Sequence, residues 1–86
     1  MSLYILAQIA VQEAFRLLRL GRFADVAEDF EIAANAAALF ARGSAEAGDA
    51  ELAQQWHRVA QGRLRFAAEA RSAAEFEADI ASGATA

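Results

Sequence analysis

This chain of 86 residues reads as an all-α protein: three long helices packed closely through alanine, as an antiparallel hairpin within a small bundle. Three observations predict that class. Alanine, the best intrinsic helix former, fills 25 of the 86 positions, and proline is absent. Only five glycines interrupt the chain, and two of them stand where one helix pattern stops and another starts. Apolar residues recur at spacings of three and four, the repeat of a helix face and not of a strand.

The first helix is expected over about residues 2–20. Ser2 can cap it, Arg16 and Arg19 suit its C-terminal end, and Gly21 can close it in the left-handed conformation. Gln8, Gln12, Arg16 and Arg19 share one narrow stripe, while Leu3, Leu6, Ala7, Ala10, Val11, Ala14, Leu17 and Leu18 fill the rest. That apolar arc is wider than one neighbour requires, so this helix is expected to be covered from two sides.

The second helix is expected over about residues 22–47, with Phe23, Val26, Phe30, Ala33, Ala37 and Phe40 on its apolar stripe. Asp25, Glu28, Asp29 and Glu31 crowd its first turns, where carboxylates complement the helix dipole. Gly48-Asp49 then supplies a stop followed by a cap, and the chain reverses. The third helix follows over about residues 49–80, and residues 83–86 read as a frayed tail. The domain is thus single and spans 1–82, near the lower end of what folds alone.

Alanine also recurs every seventh residue: Ala53, Ala60, Ala67 and Ala74 in helix three, Ala27, Ala34 and Ala41 in helix two, Ala7 and Ala14 in helix one. Seven-residue spacing holds a position on one seam of a coiled coil. Small side chains there let helix axes approach near the short end of the usual range of about 8–10 Å. Larger neighbours, Phe30 and Phe40 on helix two and Trp56 and Phe66 on helix three, are expected to close over the gap.

Gly21-Arg22-Phe23, followed by Phe30 and Ala33, resembles the middle of a tetratricopeptide repeat, where a glycine-aromatic turn joins two short helices. Gly48-Asp49 with Ala53 and Ala60 is a weaker second copy, 27 residues on, against the 34 of that family. The resemblance implies a peptide-binding module, and it requires a break in helix two near Asn35. Nothing in the sequence supplies that break, so no family is assigned.

Composition excludes several functions. Without cysteine there are no disulfides and no thiolate metal ligands. A net charge of −4 argues against nucleic acid, which selects a basic face. The apolar stretch from Leu3 to Val11 is about half the length of a membrane span, and no export signal is visible, so a cytoplasmic setting is expected. No cofactor motif is present, and neither a glycine-rich phosphate loop nor a serine nucleophile with a base nearby in sequence can be found.

His57 is the one histidine. A helical phosphotransfer domain presents such a lone histidine, usually with an apolar residue, a lysine and a glycine close behind it. Here the run is His57-Arg58-Val59-Ala60-Gln61-Gly62, which misplaces the basic residue and delays the glycine. A di-iron bundle needs Glu three residues before its histidine, where this chain has Gln54. No metal site is expected.

Five residues are candidates for an interface. Ile32 and Leu39 lie seven apart among the acids of helix two. Phe76 and Ile80 lie on the far end of helix three, which at about 48 Å outruns helix one at about 28 Å. Arg63 falls within the apolar stripe of helix three and must snorkel, pair or face a partner, with Glu13 as a possible mate. The expected function is therefore a non-enzymatic interaction module, a scaffold, adaptor or small chaperone-like protein, with a small phosphotransfer-type helical bundle using His57 as the runner-up and a tetratricopeptide-like peptide-binding module as a third reading. It is expected to form a homo-oligomer, a dimer by preference, with a protein partner also open. In such an assembly Glu75, Glu77 and Asp79 of one copy could meet Arg16, Arg19 and Arg22 of another.

Overall fold

The computed structural model describes residues 2–83 and folds them into three helices, with no strand among the described residues. They are α1 (Leu3–Arg19), α2 (Phe23–Glu46) and α3 (Ala50–Gly83). The chain is an all-α bundle. Ser2 Oγ accepts from the Ile5 amide at 3.2 Å, which caps α1. Asp49 does the same for α3, its Oδ1 accepting from the Leu52 amide at 3.0 Å.

Both reversals share one construction. Gly21 and Gly48 take φ of 71° and 84°, a region that a side chain disfavours. Around each, the next amide bonds back across the helix end: Arg22 to the Leu17 carbonyl at 3.0 Å, Asp49 to the Ser44 carbonyl at 2.9 Å. This is the Schellman closure, which satisfies carbonyls that a helix end leaves unpaired. The second turn hands the chain directly from that closure to the Asp49 cap. α2 begins without a side-chain cap, on Arg22, whose guanidinium reaches Asp25 at 2.6 Å.

The helices do not close into a triangle. α2 packs against both others, whereas no Cα of α1 lies within 8 Å of one in α3. The backbone measures 57 × 23 × 13 Å. Three helices in a row at 8–10 Å spacing span roughly 20–25 Å between outer Cα atoms, and a closed triangle only about 13–15 Å. The two-sided covering expected of α1 is therefore corrected: the α1 backbone packs on α2 alone. Its wide apolar arc stays open because α3 occupies the opposite flank of α2.

The core is built from methyl groups. Ala27, Ala34, Ala60 and Ala67 are buried on the α2–α3 seam, and Ala7, Ala10 and Ala14 are buried where α1 meets α2. Val26 is the largest fully buried side chain. The aromatic residues close over the alanines as expected, with the Phe30 and Phe66 rings stacked at 5.4 Å and Phe40 against Trp56 at 4.8 Å. α3 runs on through Gly83, three residues beyond its expected stop at Ile80, because no proline or left-handed glycine ends it. The expected frayed tail is thus helical at Gly83, and residues 84–86 lie outside the described part.

Candidate interaction surface

The distribution of side-chain size is inverted. Among the described residues fourteen apolar ones are buried, and of these only Leu17, Val26 and Phe30 are larger than alanine. Sixteen large apolar residues among those described are exposed, spread along the whole row of helices. A soluble monomer normally does the reverse and leaves large apolar groups scattered singly.

They are not scattered here. Tyr4, Val11 and Leu18 follow one another at seven-residue intervals along α1, and Leu52, Val59, Phe66, Ala73 and Ile80 do so along α3. These two lines border the same side of α2. Phe30 joins them, meeting Phe15 of α1 edge-on at 5.9 Å and Phe66 of α3 face-on. Between the helices runs an apolar groove of about 240 Å³, with Leu18 on one wall, Phe66 and Ala70 on the other, and Phe23 and Phe30 on the floor. The sequence marked Phe66 only as a lid for the alanine seam. The α3 line, one residue behind the alanines at every step, was the signal that could have shown its second role.

No protein-family model, curated protein or solved structure matches this chain.

Of the five candidates, Phe76 (65% exposed), Ile80 (54%), Leu39 (52%) and Ile32 (50%) all stand open on the surface. The structure does not bring the two pairs together. Ile32 and Leu39 lie about half a turn from Phe30 around α2, on the back of the row. Ile80 ends the α3 line and Phe76 stands four residues before it, both beyond Ala74, which lies level with the start of α2 at Phe23.

Arg63 is half-buried, and its Nη1 donates to the carbonyl of Ala33 at 3.0 Å. Desolvation holds its pKa below the ordinary arginine value. The suggested mate is elsewhere: Glu13 forms a two-point contact with Arg16 on its own helix, Arg16 Nε to Oε2 at 2.9 Å and Nη2 to Oε1 at 2.5 Å. That contact lowers the Glu13 pKa and raises that of Arg16.

Around α1, Glu13 points roughly 200° away from Phe15, so the back of the row carries the charge. Glu13, Arg16, Arg22, Asp25, Glu28 and Asp29 line one open depression there. Asp29 is half-buried between α1 and α2, and its pKa is raised first by that burial and then by Glu13, Glu28 and Asp25. Among the described residues no three of His, Asp or Glu are grouped so as to share a metal ion. His57 is exposed on α3. α2 passes Asn35 without a break, at the point where a tetratricopeptide-like hairpin would turn. No helix among the described residues is long and apolar enough to cross a membrane.

Proposed function

We propose that this chain is a non-enzymatic interaction module that works as a homo-oligomer, a dimer by preference, in the manner of a scaffold, adaptor or small chaperone-like protein. Its mechanism is the burial of helix faces. The observation that carries the reading is the inverted core: alanine inside, and large apolar side chains aligned in seven-residue lines outside. An alanine core brings little transfer free energy per residue, about 0.8 kcal/mol for each buried methylene-sized group. The larger reserve of apolar area sits on the outside, where only a further chain can use it.

The end of α3 supports the same reading. A helix end projecting into water retains little stability by itself. Phe76 and Ile80 sit on that end and are more than half exposed. Sedimentation velocity at micromolar concentration tests the proposal. The expected mass is a multiple of the 9.2 kDa chain, falling toward the single chain in the double variant Phe76→Asp with Ile80→Asp. A wild-type mass of one chain refutes it.

A further inference from the structure

We infer that the second copy docks through α3 itself, the two α3 helices pairing antiparallel so that Phe76 and Ile80 of each copy cover Phe66 and Gly62 of the other. The inference rests on the homo-oligomer reading and names its interface. Three separate observations lead to it.

The first is a second seam. Leu52, Val59, Phe66, Ala73 and Ile80 hold one position of a heptad, and Gln55, Gly62, Glu69 and Phe76 fall three residues after members of that line. Alternate steps of three and four are the spacing by which one helix meets another in a coiled coil. α3 therefore carries two seams, the alanine seam turned to α2 and this one turned outward. Leu52, Val59, Phe66 and Ile80 are all exposed.

The second is a vacancy of the right shape. Gly62, Arg65, Phe66 and Glu69 line a depression of about 230 Å³ on the outer face of α3. Those positions, i, i+3, i+4 and i+7, are the four corners of the hole that receives a knob in coiled-coil packing. Glycine in the middle of a helix weakens it, and here no contact within the chain requires one, since a Cβ at Gly62 would meet nothing within 4 Å. A close approach by another chain supplies the missing reason. In an antiparallel pair each position of one line faces the other line of the partner. Placing Ile80 on Gly62 then sets Phe76 on Phe66 and Ala73 on Glu69, and the two-fold axis makes every contact occur twice.

The third is charge, a feature independent of the apolar fit. The register brings Asp79 of the second copy beside Arg65 on the outer edge of the seam and Glu77 beside Arg63 on the inner edge. Arg65, Glu77 and Asp79 have no ion-pair partner among the described residues, and Arg63 spends one nitrogen on Ala33. By contrast Arg16 and Arg22 already hold Glu13 and Asp25, which leaves Arg19 as the one of Arg16, Arg19 and Arg22 without an ion pair among the described residues. The overhang of α3 past Phe23 also ceases to be an overhang, because the middle of the partner's α3 lies alongside it. A parallel in-register pairing would instead set Arg58 beside Arg63 of the other copy, a like-charge contact.

The test uses the absence of cysteine from the chain. Chains carrying Arg65→Cys are mixed with chains carrying Asp79→Cys, and a short bismaleimide replaces a disulfide because seam-edge backbones lie farther apart than a disulfide spans. The expected product is the mixed pair, with neither variant cross-linking to itself. In parallel, Arg65→Glu or Asp79→Arg alone should weaken association on the order of tenfold, and the double variant should regain it. A wild-type mass of one chain overturns the oligomer reading as a whole. An oligomer with no mixed product, or with each variant linking to itself, overturns the α3 pairing and leaves the oligomer standing. Circular dichroism of each variant confirms that helix content is kept at these exposed positions.

Discussion

Replacing Ala60 by leucine decides how tight the α2–α3 seam is, because the two possible packings give opposite signs. Ala60 is 4% exposed and lies on the seam with Ala34 and Ala67, which are buried to the same degree. Leucine adds three carbons. If the seam had room, burying them would stabilise the fold by about 2 kcal/mol, at about 0.8 kcal/mol per methylene. With the backbones already separated by methyl groups alone, the added carbons must push the helices apart, which costs about 1–3 kcal/mol. For a chain of this size that lowers the melting midpoint by about 5–20 °C. The assay is thermal unfolding by circular dichroism at fixed concentration, with Ala68→Leu as the control. Ala68 is exposed on the same helix and faces neither seam, so its midpoint should hardly move. A higher midpoint for Ala60→Leu would refute the close-packed seam.

Two further outcomes are expected. Asp29 has its pKa raised by burial and by three neighbouring carboxylates, so its proton is held more strongly in the folded chain than in the unfolded one. Stability is then fully present below the unfolded pKa and is lost as pH rises through the folded pKa. Asp29→Asn should accordingly raise the midpoint at pH 7, and that advantage should vanish on titration to about pH 3; a gain that persists in acid would assign it to another cause. Glycine to alanine in a helix interior stabilises by about 1 kcal/mol, and neither Gly43 nor Gly62 has an atom in the way. Gly43→Ala should therefore stabilise without changing the mass, whereas Gly62→Ala should raise helix content yet weaken association in sedimentation equilibrium. Equal behaviour of the two would remove Gly62 from the interface.

Much of this fold is written in local signals. Gly21 and Gly48 were legible as reversals because a left-handed closure selects glycine, and Asp49 was legible as a cap because its side chain must bond an amide three residues on. The alanine repeat likewise pointed to the α2–α3 seam. What the sequence could not convey was which arcs of a helix become covered. Periodicity assigns azimuths, and α1 has enough apolar azimuths for two neighbours, yet only α2 arrived. Arg63 shows the same limit at one residue. Its charge demanded a partner, and a carboxylate was the natural search, but the acceptor is the Ala33 carbonyl, a group that every residue offers. The outward line of α3 was present in the letters throughout, hidden by its nearness to the alanine line.

The side-by-side arrangement of the helices also shapes how the chain reaches its structure. Since the backbones of α1 and α3 stay apart, helix packing joins only helices that are neighbours along the chain, and closing either pair requires only a short glycine turn. The entropy of bringing distant segments together, which slows folds with long-range pairing, hardly arises. Such a topology collapses quickly, hairpin by hairpin. In the dimer proposed above, the recognition step falls to the meeting of two finished chains, with the interior alanines organising each chain and the large residues outside choosing its companion.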